Sequence, residues 1–323
     1  MPEIILVTGA ARFLGGLMAE QLATEPEVKR VIGVDVVGPE RPLEGVEFVR
    51  ADIRSPVIAR VMDQAQVDTV VHMGVISTPQ QAGGRSTMKD INVIGTMQLL
   101  AACQGTPSVT SVVLKSTAGV YGSGPKNPAR YAEDTEPAHA PRSGWPKDCA
   151  EVEAYVRGYG RRRPDAGITI LRFANIVGPR MRTGLTGYFT LPVIPTVLGF
   201  DARLQFVHED DALDITRRAA LARVRGTFNI AGPGVMTLAQ AVRRTGHPWL
   251  AVPAPIFASV GRGLARTSEA DFSVEQVRFL TYGRVLDTAK VEHAFDWRPR
   301  YSTTEAFEAF MHGQGRKGVA EVA

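Results

Sequence analysis

Short runs of consecutive apolar residues recur through residue 230, at Ile4–Thr8, Val31–Val34, Glu47–Arg50, Thr69–Met73, Ser111–Lys115, Ile168–Arg172 and Thr227–Ile230. Between most of them apolar positions return every three or four residues, over 12–24, 55–65, 89–104, 147–162 and 209–223. Continuous apolar runs suit strands covered on both faces, and the longer period suits helices that cover them. The alternation predicts an α/β fold built on a doubly wound parallel sheet. It fades after about residue 175, where GPRMRTGLTGYF, LPVIPTVLGF and PWLAVPAPIF bring in proline and glycine. We therefore expect a sheet domain over 1–175 with returning segments near 204–232. A smaller lobe would take 176–203 and 233–310, and 311–323 would be a flexible tail. Ligands of such sheets sit at the carboxyl ends of the strands, here between sheet and lobe.

The first unit carries the sharpest chemical signal. Ile4–Val7 leads into a Gly-bearing turn, then into Phe13, Leu14, Leu17, Met18 and Leu22 at helical spacing, then into VIGVDV with Asp35. This is the layout of a Rossmann-type dinucleotide site. Backbone N–H groups and a helix N-terminus face a pyrophosphate, and the acid ending the second strand accepts from the ribose hydroxyls.

Composition narrows the remaining classes. The 323 residues carry a net charge of only +4, and the densest basic cluster, Arg161–Arg163, reads as a solvated helix end rather than a nucleic-acid surface. Cys103 and Cys149 have no CxxC or CxxH partner, so neither a disulfide framework nor a metal site is expected. The apolar stretches near Leu191–Phe200 and Trp249–Val260 are short and broken by prolines, so no membrane span is expected. A first strand starting at Ile4 argues against a signal peptide and for a cytoplasmic protein. The run His208-Glu209-Asp210-Asp211 reads as the acidic start of a helix, His72 as a packed sheet histidine, and Trp249 and Trp297 as packing residues.

With these elements placed, the chain resembles the extended short-chain dehydrogenase/reductase superfamily, in its epimerase/dehydratase branch. The landmarks are TGAARFLG, VDV, ADI (51–53), VVHMGV (70–75), INVIGTMQLL (91–100) and STAGVYG (116–122). LRFANIVGPR (171–180), QFVHEDDA (205–212), FNIAG (228–232) and DTAK…FDWRP (287–299) continue the series. The resemblance implies NAD, less so NADP, held by Gly9, Ala11, Arg12, Phe13, Leu14 and Gly15 of the turn and by Asp35. It implies that Asp52 and Ile53 flank the adenine, and that Met73, Gly74 and Val75 approach the cofactor after the fourth strand. Asn92 would bond backbone from inside the long helix, while Phe173, Asn175 and Val177 line the nicotinamide side. Thr117 would hold the substrate oxygen and Lys147 the nicotinamide ribose, lowering a neighbouring acid's pKa.

Three departures bear on function. The loop's middle glycine is replaced by Arg12, with Phe13 where a related loop has glycine. Arg12 could cap a pyrophosphate or reach a 2′-phosphate, which Asp35 would repel. No lysine has a tyrosine four residues before it; Lys147 has Ser143, whose short hydroxyl cannot inherit a phenol's role. Tyr121 or a water could then supply the proton. An Arg–Asp pair that clamps nucleotide-sugar diphosphates in the family is replaced by Leu204-Gln205, with Arg203 one residue early. Apolar residues of the lobe such as Phe189, Leu191 and Phe257 would suit a more apolar substrate. Two functions are therefore carried forward. One is an NAD-dependent oxidoreductase or epimerase acting on an alcohol or ketone carbon of a small molecule, nucleotide sugars included. The other is a catalytically silent dinucleotide-binding protein, acting as sensor or scaffold. A homodimer through the helices at 89–104 and 147–162 is expected, with Ile94, Met97, Leu100 and Ala101 as its apolar stripe.

Overall fold

A computed structural model describes residues 2–77, 82–136, 138, 140–265 and 270–315. The first half comprises β1 Ile4–Thr8, α1 Phe13–Ala23, β2 Arg30–Asp35, β3 Val46–Arg50, α2 Val57–Ala65, β4 Thr69–His72, α3 Arg85–Lys89, α4 Gly95–Gly105, β5 Ser111–Thr117, α5 Gly144–Arg162 and β6 Gly167–Phe173. Next come β7 Asn175–Val177, α6 Gly184–Phe189, β8 Ile194–Val197, β9 Arg203–Leu204, β10 Phe206–His208, α7 Glu209–Ala222 and β11 Gly226–Ile230. The last are β12 Met236–Thr237, α8 Leu238–Thr245, β13 Trp249–Val252, α9 Ala254–Leu264, α10 Val274–Tyr282, α11 Ala289–Phe295 and α12 Thr303–Gly313.

Seven strands form one parallel sheet in the order β11-β6-β5-β4-β1-β2-β3. All seven apolar runs are strands of this sheet, each within two residues of its expected ends. The order reverses between β1 and β4, which opens a crevice at their carboxyl ends. Alternate residues of the sheet feed two cores. Val70, Val112 and Leu114 pack with α2, α4 and α5, while Val7, Val71, Val113 and Leu171 pack with α1 and α7. The expected helix at 89–104 starts earlier, as α3, and passes through a π-helical turn at Asp90–Ile94 before α4.

A third apolar core gathers residues from Val177 to Met311, with Phe307 stacked on Phe206 at 5.4 Å. It crosses the division expected from sequence. Leu204 and Phe206 belong to this core, whereas Val291 and Trp297 pack on the α1/α7 face of the sheet. The expected tail is also corrected: α12 runs to Gly313, Met311 is buried, and a Cβ on Gly313 would overlap Pro179. Residues 316–323 lie outside the described residues. Trp249, expected to pack, is exposed on β13, while Trp297 is buried and donates to Asp214 at 2.8 Å. Both cysteines are buried free thiols, Cys103 pushed up to about 12 by burial. Among the described residues no helix is long and apolar enough to cross a membrane, and no cluster of metal-ligating side chains occurs.

Candidate functional site

The β1–α1 turn explains how the phosphate-type loop survives Arg12. Gly9 has φ +75, donates to Val34 O at 2.9 Å, and a Cβ there would lie 2.7 Å from the Gly74 Cα. A Cβ on Gly15 would overlap the Gly9 carbonyl oxygen. These two positions alone carry the turn's demand for glycine. Arg12 has extended backbone, φ −94 and ψ 155, as the N-cap of α1, so a side chain costs the turn nothing there. Leu14 is buried. Phe13 lies under the Arg180 guanidinium at 4.7 Å, and Arg180 pairs with Glu209 at 3.0 Å. Asp35 is buried at the end of β2, accepting from Ala11 N at 3.2 Å and Val36 N at 2.8 Å. Its carboxylate thus ties the turn to the strand and keeps lone pairs for further donors.

Asp52 is committed to Arg54, whose Nε lies 3.0 Å from each oxygen, and this pairing holds the carboxyl below its usual range. Ile53 is buried over α4, where a Cβ on Gly95 would come 2.8 Å from its Cδ1. Met73 and Val75 are buried, and Asn92 fixes the segment after β4 by accepting from Ile76 N at 2.8 Å and donating to Ile76 O at 2.9 Å. His72 is a packed sheet histidine, as expected. Thr96 Oγ1 donates to Asn92 O at 2.5 Å, so it must accept from His72 Nε2 at 2.9 Å. Nδ1 then accepts from Thr8 Oγ1 at 2.6 Å, and Thr8 Oγ1 accepts from Gly74 N at 3.3 Å. Burial, helped by the charge of Lys115, lowers the imidazole to about 4, so the ring is neutral.

At the end of β5, Thr117 is nearly buried and its Oγ1 accepts from Gly119 N at 3.0 Å, leaving the hydroxyl hydrogen to donate elsewhere. Gly119 packs against α5; a Cβ there would lie 3.3 Å from Pro146, which brings Thr117 beside the start of that helix. Lys147 sits in the first turn of α5 with Nζ 3.6 Å from Glu151. Phe173 is buried at the end of β6, and Asn175 and Val177 lie on β7, paired with Phe206 and His208 of β10.

Ser143 and Tyr121 stand in different settings. Ser143 is the exposed N-cap before Gly144, outside the helix, so it does not share Lys147's helix face. Tyr121 is buried, donates to Asn229 Oδ1 at 2.8 Å and accepts from Arg172 at 2.7 Å. Its proton is committed, and burial raises the phenol further. Arg172 also pairs with the buried Glu153 at 2.8 Å, and Ser116 donates to Glu153 at 2.6 Å. This network is scaffolding for β5, β6 and α5. Charged residues inside otherwise apolar segments were the available signal for it. The 208–211 run is a helix start, as read: His208 Nδ1 accepts from Asp210 N at 3.2 Å, and Asp211 accepts from Arg300 N at 2.9 Å and Tyr301 N at 3.1 Å.

Two cations were missed in the sequence. Lys115, two residues before Thr117 on β5, is lowered by burial and, less, by the nearby Arg12. Arg284 donates to Gly122 O and Ser123 Oγ, both at 3.1 Å, and is pushed down to about 10 by burial. It shares with Arg203, Asn127 and Tyr131 a recess of about 160 Å³. Gln205, where the clamp's acid would stand, is buried and accepts from Leu286 N at 2.7 Å. Of the apolar stripe expected at a dimer face, Ile94, Met97 and Ala101 are exposed, but Leu100 faces the core.

A profile described as the NAD dependent epimerase/dehydratase family matches residues 5–231. An uncharacterised protein of Mycobacterium tuberculosis is 46% identical over 320 residues, covering 97% of this chain and 85% of its own length. A UDP-glucose 4-epimerase of Mycolicibacterium smegmatis is 25% identical over 321 residues, covering 93% and 95%. Among solved structures, UDP-glucuronic acid 4-epimerase from Bacillus cereus, in complex with UDP-glucuronic acid and NAD, superposes with a TM-score of 0.74 at 20% identity, covering 96% and 98%. That level of identity speaks for the fold alone.

Proposed function

The chain belongs to the NAD dependent epimerase/dehydratase family, and from that premise we propose that it binds NAD at the β1–α1 turn and oxidises an alcohol carbon of a small molecule, with nucleotide sugars as the leading class. The observation that carries this is the close approach of Gly9, Gly15 and Gly74, where a Cβ would fill the turn's cradle, beside the Asp35 carboxylate at the end of β2. The N–H groups of the turn and the start of α1 would hold the pyrophosphate, and Asp35 the adenine-side ribose. Ile53 and the Asp52–Arg54 pair would flank the adenine, with Lys147 at the second ribose. NAD, when bound, supplies a hydride acceptor. Thr117 would orient the substrate oxygen with its unspent hydroxyl hydrogen. Asp35 disfavours a 2′-phosphate by like charge, so NAD should bind more tightly than NADP by about 1–4 kcal/mol. Calorimetric titration with NAD, NADP and UDP-sugars tests both parts, and equal affinity for NADP would remove Asp35 from the ribose.

The third apolar core would form the lobe that closes over the substrate. A homodimer through α4 and α5 is supported by the exposed Ile94, Met97 and Tyr155, and light scattering showing a monomer at micromolar concentration would refute it. A silent dinucleotide-binding role has one observation in its favour, the absence of a phenol at the start of α5. NAD binding without NADH formation across alcohol and sugar-nucleotide substrates would select that role.

A further inference from the structure

Lys115 occupies a place that neither packing nor ion pairing explains. Strand β5 alternates: Val112, Leu114 and Ser116 face the α4/α5 side, where Ser116 reaches Glu153. Val113 faces the other way, toward α1, and Lys115 and Thr117 share its parity along the strand. Lys115 and Thr117 stand about 7 Å apart along that face, a span that a four-carbon stem covers. Beside Lys115 in register is the apolar Leu171.

Among the described residues no carboxylate pairs with the Lys115 ammonium. Arg12, at the start of α1, is a like charge. From β4 comes the neutral His72, and from α5 comes Cys149, whose thiol burial holds protonated. The acids of α5 near this end are committed, Asp148 to Arg85 at 2.6 Å and Glu153 to Arg172 at 2.8 Å. From α7, Glu209 is paired with Arg180, and Asp211 is bonded to backbone N–H groups. Among the described residues Lys115 has no hydrogen bond and no carboxylate partner, unlike Arg85 and Arg172 near it. Desolvation of this half-buried side chain, with the like charge of Arg12, lowers its pKa and brings the amine, the form that accepts a proton, closer to hand.

We infer that Lys115 replaces the missing phenol, its Nζ taking and returning the proton of the substrate hydroxyl held by Thr117. The inference rests on the proposed NAD-dependent oxidation. In that step the substrate O–H and C–H bonds break and a C=O bond forms. The proton goes to the Lys115 amine and the C–H electron pair goes with its hydrogen to the NAD acceptor. Reduction runs the same steps backwards, the ammonium returning its proton to the carbonyl oxygen. The rival role, a fixed cation for a cofactor phosphate, makes opposite demands, since it needs the ammonium form and would be served equally by arginine.

The test has a structural and a kinetic arm. Reductive methylation with ¹³C-formaldehyde makes each of the seven lysines visible by NMR, and Lys115→Arg assigns its signal. The Lys115 signal is expected to titrate well below the others; titration with the surface lysines overturns the inference whatever the activity. In single turnover, Lys115→Met and Lys115→Arg should both slow NADH formation by roughly 10²–10⁴-fold, with NAD affinity by calorimetry unchanged. Retained turnover in Lys115→Arg, or NAD affinity lost in Lys115→Met and restored in Lys115→Arg, assigns the phosphate role and refutes ours while NAD-dependent oxidation stands. Wild-type protein that binds NAD but reduces none with any substrate overturns the oxidation itself, and the proton step with it.

Discussion

The β1 and β5 sides of the crevice answer a departure from the resembled pattern in different ways. On the β1 side, glycine is replaced by Arg12 and nothing else changes, because the turn's geometry rests on Gly9 and Gly15 and on backbone contacts with Gly74. On the β5 side neither Ser143 nor Tyr121 is placed as the tyrosine that the resemblance calls for, since one stands outside the helix and the other is bound into the core. A site made of backbone tolerates any side chain that keeps its φ and ψ. A site made of side chains needs a substitute with the right chemistry, and β5 offers a lysine.

The largest expected effect lies beneath the β5 side. Glu153→Leu leaves Arg172 buried without its carboxylate and should cost about 3–5 kcal/mol in urea unfolding. A loss under about 1 kcal/mol would mean that the network is solvated and that Tyr121 is free to move. Next is the seam between the halves. With His72 held near 4 in the folded protein against 6.5 unfolded, its contribution is complete above pH 6.5 and is lost as pH falls toward 4. Over that window the loss should reach about 3 kcal/mol, and His72→Gln should flatten it. Thr117→Ala should cut turnover roughly 10²-fold while Thr117→Ser retains it. Tyr121→Phe should keep turnover, losing about 1 kcal/mol of stability for one hydrogen bond; loss of turnover would return the donor role to the phenol. The smallest effect sharpens the contrast: Arg12→Gly, which restores the family pattern, should change stability by less than about 1 kcal/mol and leave NAD affinity within a few-fold.

What was legible in the sequence follows the same line. The sheet strands, the Gly9 and Gly15 turn and the position of Asp35 were readable because each follows from local pattern: an apolar run, a turn requirement, a strand end; the backbone bonds of Asn92 came from the family resemblance. The setting of Tyr121 was not legible because its partners, Asn229 and Arg172, lie 108 and 51 residues away, and no local pattern carries that pairing. Lys115 closes an apolar run and reads as a strand end, so its isolation emerges only when every neighbouring acid is found engaged. Arg284 escaped for a related reason. It faces the 122–123 segment from more than 160 residues away.

The hydrogen bonds from Gly74 through Thr8, His72 and Thr96 to Asn92 all run in one direction, with a donor-only amide at one end and an acceptor-only carbonyl at the other. Such a line cannot be reversed by rotating its hydroxyls, because both ends are chemically fixed, and the neutral ring admits no extra proton at neutral pH. It is an insulator placed under the crevice. Along this line a proton above it has no route down into the sheet.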